Sequence, residues 1–160
     1  MARATNSFPV PLSPSIKTVT SLRAISWTSS ATRRIGSLVP VRKLKHIEGF
    51  SKTRAAWLRR KIIKEGIWNK PVALDEKHGL VMDGQHRLEA ALALGLKKIP
   101  AVKYRYSEVE IWSLRPRKYQ FDWKQVVARA LSGDIYPYKT VKHRFPSPLP
   151  ECSFSLDELM

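Results

Sequence analysis

Two periods of apolar and polar residues succeed one another along this chain, and each predicts its own element. "SLVPVRKL", Ser37 to Leu44, predicts a short first strand, and "HIEGFSKT" then breaks regularity. Ser51 or Thr53 can cap a helix that runs through Lys64. Ala55, Leu58, Ile62 and Ile63 fall on it at near-helical spacing, and Gly66 stops it. "KPVALD" and "HGLVMD" predict a second and third strand, joined by the tight turn "EKHG" that carries Gly79. A helix that opens near Gln85 or His86 continues through Arg87 to Leu94 and ends at Gly95. "IPAVKYRY" predicts a fourth strand and "VEIWSLR" a fifth. "WKQVVARALSG" has Val126, Val127, Ala130 and Leu131 on one inward face. From Asp134 onward the pattern is irregular and rich in proline. Residues 1–36 are rich in Ser, Thr, Pro and Arg with weak periodicity, which predicts a disordered basic arm. Residues 37–150 then form one folded domain and residues 151–160 a C-terminal tail. The element order implies a compact α+β fold and excludes a doubly wound sheet of ordinary size.

Charge changes the picture. The 160 residues have a formal charge of +16. Such a field attracts nucleic acid, anionic lipid or small phosphorylated ligands. Residues 1–47 contain eight Lys and Arg and no Asp or Glu, so half the net charge lies in under a third of the chain. The arm is consistent with a solvated tail, a nucleic-acid tether or an organelle transit peptide. The single cysteine, Cys152, excludes an intrachain disulfide and suggests a reducing compartment, the cytoplasm. No run approaches the roughly 20 apolar residues that span a bilayer, so no membrane partner is expected.

The chemistry concentrates in "GLVMDGQHRLEAALALG", where an apolar run ends in Asp83-Gly84 and a helical stretch begins. Gly84 permits a turn that a Cβ resists. The first N–H groups of the following helix have no intrahelical acceptor, and with the helix dipole they suit a phosphate or carboxylate. Arg87 adds a fork of donors with a fixed charge. His86 can donate, accept or carry a proton. Asp83 can cap the helix, hold a hydroxyl or ribose proton, or position hydrated Mg²⁺. The simpler alternative makes Asp83 only a cap and Arg87 the partner of Glu89 or another surface acid. The turn is neither a Walker loop nor a GxGxxG loop.

"VMDGQHRLEAALALGLKKIPAV" resembles the signature of the ParB/sulfiredoxin-like superfamily, in which an Asp/Glu-Gly-x-His/Arg-Arg turn opens a helix at a nucleotide-phosphate site. With "LKHIEGFSKTRAAWLRRKIIKEGIWNKPVALD" before it and "VVARALSGDIYPYKTVKHRFP" after it, the chain resembles the free L-serine kinases of the ParB-like class over residues 37–150. The resemblance implies a compact mixed sheet with packed helices. It also implies transfer of the terminal phosphoryl group of ADP or ATP, with Mg²⁺, to free L-serine to give O-phospho-L-serine. Glu48 would take the serine hydroxyl proton, and Asp83 and His86 would stand with it as catalytic residues. Gly84, Gln85 and Arg87 would bind phosphate, and Lys139, Thr140 and His143 would close over nucleotide or substrate. The chain departs from the family pattern at Val141, where a second Thr is common, at Lys142, where Arg is common, and at Gln85, often His. The simpler reading pairs Glu48 with Lys45 or Lys52.

No acidic cluster suggests a protein-made metal cage, so Mg²⁺ would arrive on phosphate and water. His46 and His78 lie near turns without zinc-ligand spacing, as surface histidines would. Cys152 lies outside the turn that holds the catalytic cysteine of sulfiredoxins, which argues against sulfinic-acid reduction. Trp57 and Trp68 are expected to pack around the first long helix. Trp112 and Trp123 are expected against the C-terminal one, with one of them bordering a serine pocket. The basic run "WLRRKIIKEG" reads as a solvated helix face. The competing functions are a ParB-like nucleotide- or DNA-binding protein, a ParB-like nuclease, and an accessory protein that keeps the turn without catalysis. A partition-type protein has a helix-turn-helix after this domain, and none follows here.

Overall fold

A computed structural model describes residues 36–160. The predicted basic arm lies outside the described residues. The central sheet has five strands in the order β1-β6-β4-β5-β2: β1 (Ser37–Pro40), β2 (Lys45–His46), β4 (Val72–Asp75), β5 (Leu80–Asp83) and β6 (Lys98–Tyr104). β1 runs antiparallel to β6 and β5 antiparallel to β4, while β4–β6 and β2–β5 are parallel. Two small sheets flank it. One pairs β3 (Ile67–Trp68) with β9 (Phe154–Ser155), the other β7 (Glu110–Ser113) with β8 (Val141–Arg144). Four helices complete the described fold: α1 (Lys52–Glu65), α2 (Gln85–Leu94), α3 (Trp123–Ser132) and α4 (Leu156–Leu159). The fold is α+β, as the order of elements predicts.

The inner strands read as nearly unbroken apolar runs because both faces of the sheet are covered. Val72, Leu74, Val81, Ile99 and Ala101 point to one core, shared with Ile62 of α1 and Leu88 and Ala91 of α2. Their neighbours point the other way. Leu80 meets Val126, Val127 and Ala130 of α3, and Ala73, Met82, Val102 and Tyr104 form a third cluster. The helix ends follow local rules. Ser51 Oγ accepts the Arg54 N–H at α1, Asp122 and Gln125 form a capping box at α3, and Gly66, Gly95 and Gly133 end α1, α2 and α3 in the left-handed region.

Three expectations are corrected. Ser37 to Leu44 is not one strand. Pro40 ends β1, Val41–Lys43 make a single 3-10 turn, and β2 emerges at the opposite edge of the sheet. Leu131 and Ile63 are exposed, because each lies one residue, or about 100°, beyond the last buried position of its helix. The chain after Asp134 is not irregular throughout, since it supplies β8, β9 and α4. Cys152, Phe154 and Leu159 belong to the main core.

Candidate functional site

The β5–α2 junction is built on one glycine. Gly84 has φ 112° and ψ 30°, outside what L side chains readily adopt. A Cβ there would lie 2.7 Å from Val72 Cγ1, and 3.0 and 3.1 Å from Arg87 Nη2 and Nε. Gly84 itself occupies the cap position of α2. No side chain caps this end, and no acid stands in its first turn. The cap that Asp83 could supply is therefore absent, since Gly84 holds the cap position itself. The first bond into the helix runs from the Leu88 N–H to the Gly84 carbonyl, so the N–H groups of Gln85, His86 and Arg87 precede the ladder. We expect Gly84→Ala to cost about 3 kcal/mol, the sum of left-handed strain and overpacking. Urea unfolding would read this.

Around this turn lies a cleft of about 560 Å³, lined among others by Glu48, Asp83, His86, Arg87, Lys139 and His143. Arg87 Nη2 donates to Asp83 Oδ2 at 3.3 Å, not to Glu89. The Arg87 side chain is only 17% exposed and its Nε is buried without a partner, whereas Asp83 is 50% exposed. A cation in the first turn opposes the helix dipole unless an anion joins it. His86 Nε2 accepts the Ser51 N–H at 3.1 Å, so the ring is held as a neutral acceptor. Burial, then the charges of Arg54, Arg87 and His46, holds its pKa below the ordinary 6.5. Its ring packs edge-on against Tyr138.

Glu48 sits on the other side of this chemistry. It is not paired with Lys45 or Lys52. Its Oε2 accepts the N–H groups of Thr140 at 2.9 Å and Val141 at 2.8 Å, and Oε1 has no hydrogen-bond partner among the described residues. The backbone is clamped too, with the Gly49 N–H on the Tyr136 carbonyl and the Tyr136 N–H on the Ile47 carbonyl. Burial raises the Glu48 pKa above the ordinary 4.5. The two backbone N–H groups and the charges of Lys142 and Arg115 oppose that rise. The residue before the two donors, Lys139, has φ 58°, a cost that a non-glycine residue bears where the surroundings fix it. Arg115 holds that turn through Nη2 on the Tyr138 carbonyl at 2.8 Å.

Other expected residues are placed differently from one another. Lys139 lines the cleft, whereas Thr140 is fully buried, with its hydroxyl unpartnered and its N–H on Glu48. His143 also lines the cleft. Neither ring nitrogen makes a geometrically sound hydrogen bond, although the Met82 carbonyl approaches it. Its pKa is pushed down to about 4, chiefly by burial. The sign is that of a depressed base: the folded protein resists a proton that the unfolded chain accepts. Stability is full above pH 6.5 and falls as pH drops toward 4. At about 1.4 kcal/mol per unit, the loss reaches roughly 3 kcal/mol, and His143→Phe should flatten it in urea titrations at pH 7 to 4.

Gln85 lines the cleft, but its side chain is used internally. Nε2 donates to the Val81 carbonyl, and Oε1 meets His46 Nδ1. His46 is therefore no free surface histidine, since its Nε2 also meets Glu89 Oε1 at 2.7 Å. His78 is tied to Asp75. Cys152 is buried and its thiol is pushed up to about 12 by burial, which makes it inert. Trp68 is buried in the core as expected, but Trp57 is 54% exposed and lines the cleft. Trp112 and Trp123 do not line it. Sequence reasoning missed Trp57, Arg54, Tyr138 and Lys142 as lining residues. The i, i+3 spacing of Arg54 and Trp57 was the one available signal.

The described residues contain no group of three or more His, Cys, Asp or Glu able to hold a metal. They contain no helix long and apolar enough to cross a membrane.

The fold that holds this cleft is known from solved structures. A free serine kinase in complex with AMP superposes with a TM-score of 0.70 at 14% identity, over 78% of this chain and 93% of that one. SbnI from Staphylococcus aureus, truncated at its C terminus, gives 0.69 at 15% identity, over 78% and 88%. A conserved hypothetical protein from Pyrococcus furiosus gives 0.61 at 13% identity, over 78% and 97%. No family model matches the chain, and no curated protein matches it.

Proposed function

We propose that the protein transfers the terminal phosphoryl group of ADP or ATP to free L-serine in the cytoplasm, giving O-phospho-L-serine. The observation that carries this reading is the pairing, in one cleft, of a carboxylate and an uncapped helix N-terminus. Glu48 is fixed through one oxygen, and beside the uncapped α2 N-terminus stands Arg87, whose Nη2 reaches the half-exposed Asp83 while its buried Nε has no partner among the described residues. Phosphoryl transfer asks for little more than such positioning and charge. In the proposed reaction the serine hydroxyl oxygen attacks the terminal phosphorus, the bond to the bridging oxygen breaks, and AMP or ADP leaves. Glu48 Oε1 takes the hydroxyl proton, which a carboxylate with a raised pKa does more readily. The α2 N–H groups and Arg87 hold the phosphoryl oxygens, with Lys139 and Lys142 adding positive charge. His86, neutral and bonded to the N–H that opens α1, orients the turn.

Mg²⁺ fits this donor set only as a passenger of the nucleotide. Asp83 is the half-exposed carboxylate beside the turn and would accept bonds from the ion's water shell. When bound it would supply charge neutralisation on the phosphates. The similarity of fold to a free serine kinase solved with AMP, and to a glutamate-to-alanine variant of it solved with ADP, supports the reading. Incubation with L-serine, Mg²⁺ and either nucleotide, followed by mass spectrometry, tests it. O-phosphoserine is expected. Its absence alongside tight DNA or CTP binding would favour a nucleotide- or DNA-binding protein, toward which the net charge of +16 points.

A further inference from the structure

The wall of the cleft formed by α1 has no role in the chemistry above. It consists of Arg54, Trp57 and Leu58, three residues that helical spacing places on one face. Trp57 is 54% exposed, although it belongs to the residue type with most to gain from burial. It makes no ring–ring contact among the described residues. Its neighbour in that respect is Lys61, whose Nζ lies 5.6 Å from the ring centroid. The cleft thus has an anion end at the α2 N-terminus and an aromatic plate at the α1 wall.

Base-edge recognition needs donors and acceptors in fixed positions. Among the described residues, no Asn, Ser or Thr lines the cleft. The one side-chain amide, that of Gln85, is committed to the Val81 carbonyl and His46. Leu58 and Leu114 supply apolar surface only. Stacking, by contrast, needs only a π-face and tolerates every base, and the larger purine ring gains most from it.

We propose that Trp57 is the nucleobase platform of this cleft, and that it selects purine nucleotides by stacking without distinguishing adenine from guanine. The proposal rests on the nucleotide half of the function given above, not on serine as acceptor. Arg54, one turn before Trp57, also lines the cleft, and its charge acts on His86 at the opening of α2.

The test is a cycle that removes the base from the ligand and the indole from the protein. Calorimetry with Mg²⁺ would compare ADP, GDP, CDP and inorganic pyrophosphate on the full chain and on Trp57→Ala, with Trp57→Phe as a conservative control. ADP and GDP are expected to bind within about threefold of each other, and CDP more weakly. Trp57→Ala should weaken ADP and GDP about tenfold and leave pyrophosphate unchanged, and Trp57→Phe should restore part of the loss. An equal effect of Trp57→Ala on ADP and pyrophosphate would overturn the proposal, as would GDP binding more than thirtyfold weaker than ADP. A parent chain that binds neither ADP nor pyrophosphate would overturn both this proposal and the nucleotide reading. The expected binding pattern without phosphoserine formation would sustain the platform and reject only the kinase. Because Trp57 is exposed, thermal unfolding of the variants should match the parent, and a matched melting temperature excludes misfolding as the cause.

Discussion

Glu48→Gln should bind nucleotide as the parent does and lose about 10²- to 10⁴-fold in phosphoserine formation, the range of a missing general base. The amide oxygen of Gln can still accept the N–H groups of Thr140 and Val141, so the turn at Lys139 keeps its anchor. What the variant cannot do is take a proton. Stability should move the other way. Burial raises the Glu48 pKa, so the folded protein binds this proton more tightly than the unfolded chain does. A group of that sign contributes stability at low pH and loses it as pH rises through the folded pKa. Glu48→Gln should therefore match the parent below pH 4.5 and equal or exceed its melting temperature at pH 7. A variant that is less active and no less stable distinguishes a functional carboxylate from a structural one. Loss of nucleotide binding, or a marked fall in melting temperature, would place Glu48 in the scaffold instead.

Arg87→Ala should weaken nucleotide binding by roughly thirtyfold or more while the fold persists. A charge-assisted contact to phosphate is worth about 2 kcal/mol or more, roughly thirtyfold in affinity. Arg87 has little structural work to lose, since among the described residues its one ion partner is the half-exposed Asp83 and its Nε is unpartnered. Removing a cation from the first turn of α2 relieves an unfavourable interaction with the helix dipole, by about 0.3 to 1 kcal/mol. Calorimetry and urea unfolding on the same preparation would read both effects. Affinity within twofold of the parent would make Arg87 a surface residue with no part in the site.

The β5–α2 turn is legible in the sequence because its cause is local. A glycine after an apolar run, followed by helical spacing and a second glycine, fixes Gly84, α2 and Gly95 within a dozen residues. Ser51 announced α1 in the same way. Glu48 was suggested only by resemblance, and its true partners lie 92 and 93 residues away. No local pattern encodes a carboxylate that waits for two distant N–H groups, so basic neighbours were its natural but mistaken partners. Of the roles open to Asp83 in the sequence, the cap fails for a subtler reason. The capping preference of Asp is real, but Gly84 at φ 112° takes the cap position itself. The packing of residues 152–159 was hidden because β9 has two residues and α4 four, too few to show a period. Trp57 is expected from the sequence to pack around α1, yet it is exposed on the cleft wall, a place that depends on where the cleft opens.

Phosphorus NMR of the intact chain with ADP, Mg²⁺ and L-serine tests the central claim most directly, because it follows the phosphoryl group itself. The account predicts that the β-phosphate signal of ADP declines while AMP and O-phosphoserine signals grow in equal amounts, with no inorganic phosphate. Unchanged ADP here together with unchanged ATP in a parallel sample, or inorganic phosphate in place of phosphoserine, would contradict it.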